Sequence, residues 1–179
     1  MLKKRKQLSS VLILVLLTAT ACAALPARGG SGSIALVPFS SPEFGIQGVV
    51  PQACRQEDAG NFECTGLTSD SDAAVMVQQS LPASRDELIA LLLDQVDLEQ
   101  LPEPSGDYKG TVFAWDLYAF EAQIVDVGSE ILRVDLALAE GDSASYLVAL
   151  VTVPDVYDAN AALFDTVFTH AVYALAPLE

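Results

Sequence analysis

The chain has 179 residues, 51% of them hydrophobic, with 24 acidic against 9 basic side chains and a formal net charge of −15. That apolar content excludes a disordered acidic tail, and the charge excludes partners rich in phosphate, nucleic acid above all. Acidity of this kind keeps an apolar domain soluble, with a cationic ligand or calcium as the alternative use.

Residues 1–21 predict a signal peptide. Lys3, Lys4, Arg5 and Lys6 form a basic start, residues 11–17 are apolar, and the small residues Ala19 and Ala21 precede Cys22. Thr20-Ala21-Cys22 resembles a lipoprotein processing site, although Ala19 stands where Leu is usual. The resemblance implies a lipid (palmitate) on Cys22 and anchoring outside the cytoplasm at the bacterial cell membrane. Ordinary cleavage after Ala21 would instead leave a secreted domain. An uncleaved helix is disfavoured, because the apolar run falls short of the ~20 residues that span a bilayer. Processing removes four of the nine basic residues, leaving five against 24 acidic side chains and a net charge of −19. Residues 22–33 are a Gly/Ser/Pro/Ala linker with a reach of about 15–20 Å. Residues 34–179 then form a single domain, long enough for a real core.

With Cys22 set aside, Cys54 and Cys64 remain, an even pair expected to be oxidised outside the cytoplasm. The intervening Asp58-Ala59-Gly60-Asn61 reads as a turn, so the bridge staples a hairpin. A zinc site is the rival, and two Cys without a nearby His make a poor one.

Strands are predicted over residues 44–50, 61–67 and 73–79, read as a meander with Pro51 closing the first. The period then changes. Ser84-Arg85-Asp86-Glu87 is a capping box, and Leu88, Ile89, Leu91, Leu92, Leu93 and Val96 recur at helical spacing before Pro102. From residue 111 the alternation returns, with Phe113, Trp115, Leu117 and Ala119 on one side and Ala114, Asp116, Tyr118 and Phe120 on the other. Gly128-Ser129 turns the chain into a strand over 130–139, with Leu132, Val134, Leu136 and Leu138 inward and Arg133 and Asp135 outward. Residues 140–143 make a hairpin turn. Residues 145–153 are apolar on both faces, as in a central strand. After Pro154, Asp155 or Asp158 is expected to cap a closing helix carrying Leu163, Phe164, Val167, Phe168, Ala171 and Leu175, ended by Pro177.

This order predicts an α+β fold: a mainly antiparallel sheet of about six or seven strands flanked by two helices. FGIQGVVP, the long hairpins of the second half and the closing ALFDTVFTHAVYALAPL resemble the PsbP-like sandwich. Phe44-Gly45 and Pro51 match, while Ala53-Cys54 stand where that family usually has Trp. The superfamily includes photosystem subunits, a Ran-binding import factor and bacterial lipoproteins, so the resemblance implies a binding or accessory domain. It carries no catalytic residues across.

Reaction motifs are missing. His170 is the single histidine, and neither G-x-S-x-G nor a Ser–Lys pair at S-x-x-K spacing occurs. Gly29-Gly30-Ser31-Gly32 has no strand before it and no helix after it, so it is linker and not a phosphate cradle. Asp70-Ser71-Asp72 lacks the Gly and distal Glu of a calcium loop. Asp116 and Glu121 lie among apolar strand residues, where burial would raise a carboxyl pKa. The aromatics Phe113, Trp115, Tyr118, Phe120 and Tyr146 are candidates for a groove between sheet and helix, open to an apolar ligand or a partner strand. The expectation is a non-enzymatic, membrane-anchored binding domain for a protein or apolar ligand, without cofactor, metal or nucleic acid. The alternative is an accessory or degenerate hydrolase domain using buried carboxylates.

Overall fold

Strand β1 (Leu36–Ser41) pairs antiparallel with β2 (Ile46–Pro51), and the chain then crosses into a different layer. The computed structural model describes residues 34–68, 74–110, 112–125 and 129–178. The export signal, Cys22, the linker with its glycines, Asp70-Ser71-Asp72 and Gly128 lie outside the described residues.

The larger sheet has seven strands, all antiparallel: β3 (Cys54–Asp58), β4 (Asn61–Cys64), β5 (Ala74–Leu81), β6 (Gly106–Lys109), β7 (Ala114–Gln123), β8 (Ile131–Glu140) and β9 (Ser145–Thr152). Their spatial order is β3-β4-β5-β9-β8-β7-β6. A second sheet is ordered β1-β2-β10, where β10 (Ala176–Pro177) follows the closing helix. The α+β class thus holds, but the expected meander beginning at residue 44 does not. β2 leaves it for the smaller sheet, and the strand completing the meander is β3, a short polar segment without an apolar alternation to announce it.

Helix α1 (Arg85–Leu93) starts on the predicted capping box, with Ser84 Oγ accepting from Glu87 N and the Glu87 carboxylate returning to Ser84 N at 2.9 Å. It ends earlier than its apolar period suggests, and Val96 instead bridges Ile124 beyond β7. The closing helix comes in two pieces, α2 (Pro154–Ala159) and α3 (Ala161–Ala174), broken at Asn160. Neither Asp155 nor Asp158 caps it. Pro154 takes the first helical position, where its missing N–H costs nothing. None of the described helices is long and apolar enough to cross a membrane.

The period of two sends alternate residues of the large sheet into two separate cores. Met76, Trp115, Ala137, Val148 and Leu150 face the smaller sheet and α3, meeting Ile46, Val50, Phe164 and Val167. Val77, Tyr118, Leu136, Leu138 and Leu147 face α1 and meet Leu88. Gly48 permits the close approach of the two sheets: a Cβ there would fall 2.7 Å from Gln78 Oε1 and 2.8 Å from the Phe39 ring. The fully buried Gln78 uses that gap, donating from Nε2 to Val49 O at 2.8 Å.

The outer strands are short, charged or proline-bearing. β1 carries Pro38, β10 ends in Pro177, β3 reads CRQED and β6 reads GDYK. Such edges discourage addition of a further strand.

Cys54 and Cys64 are directly opposed across β3 and β4 and are bridged, S–S 2.04 Å. Loop-closure entropy for so short a loop gives about 2–3 kcal/mol. Replacing both cysteines with alanine is therefore expected to lower the thermal midpoint by roughly 5–10 °C. Melting curves that coincide for the oxidised protein and the double variant would remove the staple from the stability of the domain.

Candidate functional site

On the α1 face the large sheet is only partly covered. Helix α1 runs along β7, its first residue tied to Asp116 and Tyr118 and the chain just after it to Gln123 and Val125. One helix is about 10–12 Å across, whereas the five strands from β4 to β7 span about 19 Å. After Leu93 the chain turns, and Asp97 N donates to Gln123 O at 2.9 Å while Val125 N donates to Gln95 O at 2.8 Å. The segment is thereby tied to the end of β7 and roofs one side of a groove without filling it. The cavity amounts to about 70 Å³ and stays partly open to solvent. Val77, Ala149, Val151, Leu136, Val134 and Phe120 floor it, and Leu92, Val96 and Leu101 wall it. Asn61 and Gln95 are its polar residues.

One row of the sheet runs beneath it. Asn61 pairs with Val77, Val77 with Ala149, and Ala149 with Leu136, so four adjacent strands each place one residue in line. Asn61 holds the β4 end because the β3–β4 turn is tight. Gly60 there has φ +73°, and a Cβ would lie 2.3 Å from Gln78 O. Gln79, fully buried on β5, donates from Nε2 to Asn61 Oδ1 at 3.3 Å, while its own Oε1 has no partner.

At its first residue, α1 is clamped to β7. Arg85 pairs with Asp116 and donates from Nη2 to Tyr118 Oη at 2.6 Å. Burial works against the guanidinium charge, but Tyr118 and Asp116 outweigh it, and its pKa stands above the ordinary value. Asp116 is thus an ion-pair partner about a third exposed, and Glu121, five residues on, is exposed on the opposite face of the same strand. The two carboxylates named from the sequence cannot converge on one substrate.

The five aromatics divide in the same way. Phe113, Trp115 and Tyr146 lie in the core beneath α3, with Phe113 and Tyr146 ring centroids 4.2 Å apart and Phe113 edge-on to Trp115 at 5.5 Å. Tyr118 and Phe120 face α1, and of the five only Phe120 lines the groove. The aliphatic lining was missed. Its trace in the sequence is the strand over 145–153 with both faces apolar, in a chain that offers a single helix for one of them.

A second polar cluster lies on the other face. Asp135, expected to point to solvent, is 7% exposed because α2 covers that part of β8. Arg133 donates to it through Nε at 3.2 Å and Nη2 at 2.9 Å, and the guanidinium lies 4.6 Å over the Tyr157 ring. Tyr157 in turn donates to Asp165 at 2.6 Å. Burial pushes the Asp135 carboxyl up by more than Arg133 pulls it down, with Asp165 adding to the rise. Burial works against the Arg133 charge, but Asp135 and Tyr157 together outweigh it, and its pKa stands above the ordinary value. Both partners rise because the acid is the more deeply buried, 10% against 26% side-chain exposure, and bears most of the desolvation. Burial and the bond to Asp165 also raise the Tyr157 phenol.

His170 is exposed on α3, its Nδ1 2.7 Å from Thr166 O, and the large sheet separates it from the groove. Among the described residues, no group of three or more His, Cys, Asp or Glu is placed to hold a metal ion.

No protein-family model matches the sequence, and no curated protein matches it. Among solved structures, the chain is similar to the Ran-binding protein Mog1p of Saccharomyces cerevisiae, at 10% identity over 82% of this chain and 97% of that one, TM-score 0.48. It is also similar to cyanobacterial PsbP (CyanoP) of Synechocystis, at 15% identity over 86% and 98%, TM-score 0.42. A Pseudomonas aeruginosa protein of unknown function shares 15% identity over 73% and 92%, TM-score 0.43.

Proposed function

We propose that this chain is a non-enzymatic binding domain, held outside the cytoplasm of a bacterium by a lipid on Cys22, and that the groove beneath α1 receives an apolar ligand. The groove carries the reading: an aliphatic cavity left open on a sheet whose opposite face packs against α3 and the smaller sheet. Support for the location comes from the export signal and the Cys54–Cys64 bridge, which an oxidising compartment maintains. At about 70 Å³ the cavity is well below the roughly 300–1,000 Å³ of sites for drug-sized molecules. Its occupant is therefore slender.

Two measurements test the reading. Expressed in a bacterial host, the protein is expected in the membrane fraction with an acylated N-terminal Cys22 by mass spectrometry, and Cys22→Ala is expected to release it. Diphenylhexatriene, an uncharged rod-shaped dye, is expected to bind one-to-one, with Ala149→Phe abolishing binding while the thermal midpoint holds or rises as the ring fills the cavity. Dye binding that survives Ala149→Phe would place the ligand elsewhere.

A further inference from the structure

We infer that the groove's ligand is an uncharged single-chain amphiphile, an acyl ester or ketone in type, whose carbonyl is met by Asn61 at the β4 end. The inference rests on the reading of the groove as a ligand site and adds the chemistry of its occupant.

Three observations carry it. The first is polarity along the row: Asn61 is followed by Val77, Ala149 and Leu136, with Phe120 and Val134 beyond, so a polar end passes into an aliphatic floor. A molecule matching that gradient has one hydrogen-bonding head and one apolar tail. The narrow cavity admits a single chain.

The second is the state of the two amides. Gln95 at the opposite rim makes no side-chain hydrogen bond and is free to swing. Asn61 is fixed: Gln79 donates to its Oδ1, and the tight turn at Gly60 holds its backbone against β5. Among the described residues, its Nδ2 has no hydrogen-bond partner. A donor held in one orientation at the mouth of an apolar groove calls for an acceptor such as a carbonyl oxygen. Gln79 is the positioning residue, a fully buried amide whose side chain donates to Asn61.

The third is charge. No cation lines the groove. Among the described arginines, Arg55 is held by Glu57 and Glu63, Arg85 by Asp116 and Arg133 by Asp135. The chain is strongly negative. A carboxylate or phosphate head would meet repulsion with no counter-charge. Glu63, two residues from Asn61 on the same strand face, is engaged by Arg55, and Asp58, the cross-strand partner of Asn61, is exposed at the β3 edge, where water and salt screen its pull on an ammonium head.

The test is calorimetric titration of the full extracytoplasmic chain with monocaprin, decanoate and decylamine, each below its micelle concentration, beside the dye diphenylhexatriene. Monocaprin is expected to bind about tenfold more tightly than either charged probe. Asn61→Leu and Gln79→Leu are each expected to weaken monocaprin severalfold and leave the dye unaffected, a separation that a merely structural role for either amide would not produce. Decanoate or decylamine binding as tightly as monocaprin overturns the uncharged head. Full monocaprin affinity in both variants overturns the role of Asn61. Either result leaves the apolar site standing, whereas failure of every probe, dye included, overturns the site itself.

Discussion

Replacing Phe164 with alanine is expected to cost about 3–5 kcal/mol, a large part of the stability of a domain this size. The ring is 1% exposed in the first turn of α3, among the largest fully buried side chains. It stacks on Tyr157 with centroids 5.7 Å apart and an interplanar angle of 9°, and shares a core with Ile46, Val50 and Trp115. Truncation removes its transfer energy and leaves a cavity bounded by two sheets and a helix, none free to collapse inward. Urea titration followed by the fluorescence of Trp115, the single tryptophan and 2% exposed, would read the midpoint directly. Tyr173→Ala on the same helix, 59% exposed, is the control and should stay within about 0.5 kcal/mol. A loss below about 1 kcal/mol for Phe164→Ala would mean that α3 is not the element closing this core.

Arg133→Met is the second large effect. It leaves the Asp135 carboxylate inside the protein without its counter-charge, and breaking a buried pair from one side typically costs about 3–5 kcal/mol. Arg133 keeps a quarter of its side chain in water, so the expected cost near neutral pH is smaller, about 2–3 kcal/mol. The pH dependence identifies the cause. The Asp135 carboxyl is raised in the folded protein, so in the window between its unfolded and folded values the folded chain binds more protons. Its contribution to stability is therefore complete below the unfolded carboxyl range and is lost as pH rises through the folded value. In Arg133→Met that window widens, and mild acidification is expected to restore much of the loss. The double variant Arg133→Met/Asp135→Leu should recover stability at neutral pH as well. If the single variant is destabilised equally at every pH, the loss is one of packing on Tyr157 and not of charge.

Local chemistry was the legible part of this chain. The Ser84–Glu87 box marks a helix start within the reach of three residues, and the Cys54–Cys64 bridge follows from counting thiols and seeing a turn between them. Alternation in β7 and β8 assigned each side chain to a face correctly. It did not say what covers each face. Asp135 was placed in solvent because the chain that buries it, α2, lies some twenty residues further on. The aromatics were grouped by nearness in sequence, although the alternation itself puts Trp115 and Tyr118 on opposite sides. β6 and β3 escaped because short edge strands are polar, and the smaller sheet escaped because β10 is two residues long and joins β2 across most of the chain. The groove is a deficit of coverage, one helix lying over a sheet wider than itself, and no residue type announces it.

The large sheet also divides labour. Side chains that close the core beneath α3 and those that floor the groove share a backbone but meet different neighbours, with a layer about 10 Å deep on each side. Substitutions on the two faces have few common partners, and their energetic effects then sum independently. The groove can be reshaped on one face while the other, undisturbed, keeps the chain folded. A lineage built on this frame is free to remodel that surface one aliphatic side chain at a time.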